Sequence, residues 1–124
     1  MPKTIARMGK QKAGPEQIRA VIEKSLDDDK AEDIISYDLV GRTSLTDYII
    51  IASGKSSRHV MAMAGHLREK LEEAGKHPHV EGMEQGNWVL LDAGDVIVHL
   101  FRPEVRSFYQ LETIWSPDSM GHPA

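Results

Sequence analysis

Hydrophobic and polar positions along this chain follow three rhythms, and each predicts a kind of element. Ile18, Val21, Ile22 and Leu26 fall on one face of a helix. Pro15 stands where a first-turn proline belongs, and Asp27-Asp28-Asp29 ends the apolar face and reads as a solvated connector. Ile35, Tyr37 and Leu39 alternate with Ser36 and Asp38, the period of a half-buried strand, and Gly41-Arg42-Thr43-Ser44 reads as a loop. From Tyr48 to Ala52 every position is apolar, which predicts a strand buried on both faces and therefore central in its sheet. Ser53-Gly54-Lys55-Ser56-Ser57 breaks that run and supplies caps for a long helix. Val60, Met63, Ala64, Leu67, Leu71 and Ala74 mark the inner face of that helix, and Gly75 its stop.

The second half predicts strands. A short one lies at His79–Glu81, followed by the loop Gly82–Gly86 and the hairpin "NWVLLDAGDVIVHLF" over 87–101. Pro103 ends the hairpin. Beyond it, 104–114 reads as a short helical tail anchored by Phe108, Leu111 and Trp115. The order is helix, strand, strand, helix, three strands, short helix. It predicts one α/β domain over residues 15–116, with helices packed on a mixed sheet of about five strands. Residues 1–14 read as a flexible tail and 117–124 as a frayed end.

Within the hairpin, Val89, Leu91, Val96, Val98 and Leu100 share a wholly apolar face, which must be core. The other face carries Trp88, Leu90, Asp92, Asp95, Ile97, His99 and Phe101. A two-residue turn at Ala93-Gly94 sets Asp92 against Asp95, Leu90 against Ile97 and Trp88 against His99. A three-residue turn shifts those partners.

Composition narrows the class. The chain has 124 residues, 27% charged and 40% hydrophobic, as expected of a globular protein. No apolar run approaches the roughly 20 residues of a spanning helix, and no signal-peptide core is visible. With no cysteine, disulfides, thiolate nucleophiles and Cys-based zinc sites are excluded. These features fit a cytoplasmic protein. The tail carries Lys3, Arg7, Lys10 and Lys12, a charge of +4; serine is missing and amphipathicity weak, so it does not read as a transit peptide. The whole chain is −4, so residues 15–124 carry −8. An acidic body does not suit a domain that coats nucleic acid; it suits a basic protein partner or serves solubility alone.

Candidate chemistry is thin. Gly54-Lys55-Ser56 sits between strand and helix, but a phosphate loop needs a glycine five residues earlier, where Ile49 stands inside the strand. His59 and His66 lie seven apart on one helix, and His77 and His79 alternate on one strand face; neither pair has a carboxylate or cysteine at ligand spacing, so no metal site is expected. No Ser or Cys nucleophile adjoins His99, and two aspartates at a hairpin tip have no pocket to tune them. The plainest reading of Trp88 and His99 is a half-buried aromatic contact across the strands. An indole beside polar groups, with Arg106, Tyr109 and Trp115 following, is also what protein interfaces favour.

Five segments together resemble the ribosomal silencing factor family, also called Iojap-like. They are Lys30-Ala31-Glu32-Asp33-Ile34; Asp47-Tyr48-Ile49-Ile50-Ile51-Ala52-Ser53-Gly54 with Ser57-Arg58; Glu81-Gly82; Gly86 through Phe101; and Arg106-Ser107-Phe108-Tyr109-Gln110-Leu111-Glu112. The resemblance spans about Ile18 to Trp115. It implies a fold related to nucleotidyltransferases but no catalysis and no cofactor. It also implies binding to the large ribosomal subunit through its fourteenth universal protein, which blocks joining of the small subunit and represses translation, with a further role in large-subunit maturation. On that reading Trp88 and Tyr109 are apolar anchors, Asp92, Asp95 and Glu112 are acceptors, and Arg106 and His99 position neighbours or touch the partner. The basic tail carries charge suited to ribosomal RNA. The alternatives are a nucleotide-binding enzyme on the related fold and a homodimer using the hairpin face. Which hairpin face meets the ribosome stays open.

Overall fold

The computed structural model describes residues 14–42 and 44–104. The proposed tail, the helical anchors Phe108, Leu111 and Trp115, and the frayed C-terminus lie outside the described residues. Helix α1 spans Pro15–Asp28 and helix α2 spans Ser57–Glu73. The strands are β1 (Glu32–Asp38), β2 (Tyr48–Ser53), β3 (His79–Glu81), β4 (Trp88–Asp92) and β5 (Val96–Phe101). They form one mixed sheet ordered β1-β2-β5-β4-β3. Only β2 and β5 run parallel, with Tyr48 opposite Val96 and Ser53 opposite Phe101.

Both helices pack on one face of the sheet. Ile18, Ile22 and Leu26 of α1 and Val60, Met63, Leu67 and Leu71 of α2 are fully buried against Ile50, Val89, Leu91, Val98 and Leu100. Full burial of such side chains contributes roughly 1.5–3 kcal/mol each. The opposite face holds a smaller cluster of Leu39, Ile49, Ile51 and Phe101, with Tyr37 and Ile97 packed against it. β2 is buried at all six positions, as its uninterrupted apolar run requires.

The helix ends follow from local hydrogen bonds. Ser56 caps α2 by accepting from the His59 N–H at 3.1 Å. At its other end Gly75 N–H reaches the Glu72 carbonyl and Lys76 N–H the Leu71 carbonyl, a Schellman closure. At the start of α1 the Gln17 side chain reaches back to Gly14 N–H at 2.9 Å. α1 ends with the same closure, from Lys30 N–H to Asp27 and Ala31 N–H to Leu26. There the left-handed position is held by Lys30 at φ 60, where glycine is usual.

Three local expectations are corrected. Asp27-Asp28-Asp29 is not a free connector: Asp27 and Asp28 belong to α1, and Asp28 pairs with Lys24 at 3.2 Å. Asp29 ties α1 to α2, its carboxylate meeting His66 Nδ1 at 2.7 Å and its carbonyl accepting from His59 Nε2 at 2.8 Å. His59 Nδ1 in turn accepts the Lys55 N–H, so a tautomer protonated on Nε2 alone satisfies both contacts. His77 precedes β3 rather than lying in it. Ser36 turns toward α1 and donates to the Glu23 carboxylate, while Ile34 packs on the helix-covered core. Ser36 is in register with helix-facing Ile50 and shares its face with Ile34 by alternation, while the pairing slips at a bulge between Glu32 and Ile35, where Asp33 takes φ 51.

Gly82 lies close against the backbone of β4. Its φ is +89, and a Cβ there would lie 2.1 Å from the Trp88 carbonyl oxygen. Gly82→Ala is expected to lower stability by roughly 2–4 kcal/mol through clash and strain. Lys30→Gly is expected to raise it by about 0.5–1 kcal/mol, because glycine tolerates the left-handed position. Urea unfolding midpoints check both: they should move in opposite directions with unchanged slope.

A candidate docking face on the hairpin

The helices cover the all-apolar face of the β4–β5 hairpin, where Val89, Leu91, Val96, Val98 and Leu100 are completely buried. That face is therefore closed to a partner. The other face keeps the polar interruptions, and their placement depends on the hairpin register. The turn is Gly94-Asp95, not Ala93-Gly94: Ala93 N–H bonds the Val96 carbonyl at 3.0 Å, and Gly94 takes φ +87. Trp88 consequently pairs with Phe101, Leu90 with His99 and Asp92 with Ile97. The shift is by a whole side-chain repeat, so the strand residues keep their expected faces while every cross-strand partner changes, and Asp95 leaves the strand for the turn.

Trp88 and His99 are now diagonal neighbours, and they still meet. Trp88 Nε1–H donates to His99 Nδ1 at 3.1 Å. The ring centroids of Trp88 and Phe101 are 5.1 Å apart, and those of His99 and Phe101 are 6.0 Å apart and stacked. Phe101 is completely buried, whereas Trp88 is 37% exposed. Three rings thus form one cluster running from the core to the surface.

Asp92 and Asp95 are not part of that cluster. Four residues of strand separate Asp92 from Trp88, about 13 Å. Asp92 accepts the Gly94 N–H at 2.8 Å and stabilises the turn. Asp95 pairs with Lys76 at 3.1 Å, just beyond α2. Its carbonyl takes the N–H groups of Asp47 and Tyr48 and the Thr46 hydroxyl. Asp95 thereby knits the turn to the start of β2, a role that spacing could not show because it spans nearly fifty residues of chain. Arg106, Tyr109 and Glu112 lie outside the described residues.

Two other places resolve plainly. Gly54 N–H is taken by the Phe101 carbonyl and Lys55 N–H by His59 Nδ1, so two amides a phosphate loop would use are engaged internally. A Cβ at Gly54 would come within 2.9 Å of Val60 and Met63 side-chain carbons. Among the described residues no group of three or more His, Cys, Asp or Glu side chains could hold a metal ion. Nor is any described helix long and apolar enough to cross a membrane.

Burial sets the electrostatics of the ring cluster. Desolvation lowers the His99 pKa to about 4 from the ordinary 6.5. The neutral ring is also the form that can accept the Trp88 N–H. Between pH 6.5 and about 4 the unfolded chain binds a proton that the folded chain refuses. Stability contributed by neutral His99 is therefore complete above pH 6.5 and declines as the pH falls toward 4. The total is roughly 3 kcal/mol. Urea unfolding at pH 7 and pH 4.5 should show a larger acid loss for the wild type than for His99→Phe. Equal losses would contradict the assignment.

The comparisons with known proteins agree with this fold. The family model described as "Ribosomal silencing factor during starvation" matches residues 12–122. The ribosomal silencing factor of Zymomonas mobilis is 52% identical over 102 residues, covering 82% of this chain and 77% of that protein. A mouse protein named "Mitochondrial assembly of ribosomal large subunit protein 1" is 32% identical over 92 residues, 71% of this chain and 40% of its own length. A crystal structure of a Chromobacterium violaceum protein superposes with a TM-score of 0.79 at 42% identity, covering 83% of this chain and 87% of that one. By sequence match along nearly its whole length and by the shared fold, the chain belongs to the ribosomal silencing factor family.

Proposed function

We propose that this protein binds the large ribosomal subunit through its fourteenth universal protein and blocks association with the small subunit by occupying the joining surface. Translation is repressed by exclusion rather than by chemistry. The observation that carries the reading is Trp88: it is the only aromatic among the large apolar side chains exposed in the described residues, and it stands on the sheet face the helices leave uncovered. Indoles that combine apolar area with a rigid frame dominate protein interfaces. The name of the mouse relative, with its large-subunit assembly, supports the choice of subunit. The acidic body, −8 over residues 15–124, is complementary to a basic ribosomal protein and would speed encounter.

Within this reading Trp88 anchors the contact. Tyr109, Arg106 and Glu112 would extend it, because they follow the hairpin directly in sequence. Asp92 is a candidate acceptor at the rim. Asp95 already holds Lys76, so its removal would act mainly through the fold. The +4 tail is the candidate for contact with ribosomal RNA, which predicts a salt-dependent share of the affinity.

Co-sedimentation with purified large subunits tests the proposal. Wild-type protein should pellet with them, and Trp88→Ala should weaken binding by roughly 2 kcal/mol or more while keeping a cooperative unfolding transition. Wild-type pelleting by a folded Trp88→Ala variant would remove Trp88 from the interface.

A further inference from the structure

We infer that His99 is a positioning residue: by accepting the Trp88 indole N–H it locks the indole into its docking orientation before a partner binds. The inference rests on the reading of Trp88 as the anchor. It begins from an oddity of sequence. His99 points into the face where Ile49, Ile51, Ile97 and Phe101 pack, and an apolar side chain would fill that position without desolvating an imidazole. A half-buried polar ring in such a place needs a partner, and among the described residues Trp88 supplies one.

The lock has a rigid base. β5 is flanked by β2 and β4, with His99 opposite Ile51 on one side and Leu90 on the other. Its ring stacks on Phe101 with an interplanar angle of 12°, and Phe101 has no exposure. Trp88 stands at the start of its strand, just after the loop that ends at Gly86, and its ring is tilted 32° to Phe101 and 42° to His99. Ring contacts at such tilts hold distance but tolerate rotation; a hydrogen bond is directional and selects one rotamer. The core thus fixes Phe101, Phe101 fixes His99, and His99 fixes the indole. Burial keeps the imidazole neutral near pH 7, so the acceptor is available under those conditions. Ordering a large side chain in advance removes an entropy loss from the binding step, an effect of about tenfold in affinity.

The test follows the indole N–H itself. The chain has two tryptophans, Trp88 and Trp115, so ¹⁵N-labelled protein gives two indole resonances, and Trp88→Phe identifies the one that matters. Indole hydrogen exchange and affinity for purified large subunits are measured for the wild type, His99→Phe and His99→Asn. In His99→Phe the Trp88 indole should exchange about tenfold faster and subunit affinity should fall about tenfold. The asparagine carbonyl can take the place of Nδ1, so His99→Asn should recover much of both. Wild-type exchange and affinity in a folded His99→Phe would overturn the inference. So would an asparagine variant that folds yet behaves like the phenylalanine one. If His99→Phe does not fold, His99→Leu removes the acceptor with a smaller side chain, and the same outcomes decide: faster indole exchange with weaker binding supports the lock, and wild-type values of both overturn it. Failure of the wild type to bind large subunits would overturn the docking reading, while indole exchange would still decide whether His99 holds Trp88.

Discussion

The parallel pairing of β2 with β5 organises the rest of the domain. Antiparallel neighbours can be joined by a tight turn, but a parallel pair needs a long crossover. Here the crossover contains α2, which lies across one face of the sheet, and α1 is tied beside it through Asp29 and the two histidines His59 and His66. One sheet face therefore becomes the helix-covered core. The other is left with a smaller apolar cluster and the side chains that interrupt it. The Trp88 face of the hairpin is a candidate surface because the topology has already used its opposite face.

Much of this was legible in the sequence because burial leaves a periodic trace. The unbroken run from Tyr48 to Ala52 implied a strand covered on both sides, and the 3–4 spacing from Val60 to Leu71 implied the helix that covers one of them. The two faces of the hairpin could be read from alternation alone. Its cross-strand partners could not, since moving the turn from Ala93-Gly94 to Gly94-Asp95 preserves the alternation and changes every pair. The bulge at Asp33 was hidden for a related reason: a non-glycine residue in left-handed geometry carries no sequence signal. The long-range roles of Asp95, Asp29 and His59 depend on which ends of the elements meet in space. Spacing along the chain does not contain that information.

The candidate site divides by charge and by depth. The aspartates of the hairpin tip are occupied with the fold, Asp92 with the turn and Asp95 with Lys76 and the start of β2. At the other end of the hairpin the Trp88 indole donor meets the His99 imidazole acceptor inside an aromatic cluster. No group of three or more His, Cys, Asp or Glu side chains that could hold a metal ion stands among the described residues. The ring cluster instead presents the Trp88 indole at the surface against the buried Phe101. Family membership sets the biological frame, and the geometry indicates which part of the surface to examine within it.

The central claim is that the protein acts by occlusion, and subunit joining tests it most directly. Light scattering follows the association of purified small subunits with large subunits preincubated with the protein. The account predicts that joining is suppressed in proportion to the fraction of large subunits occupied. Suppression should be relieved when the protein is added only after the subunits have joined. Joining at the unhindered rate on fully occupied large subunits would contradict it.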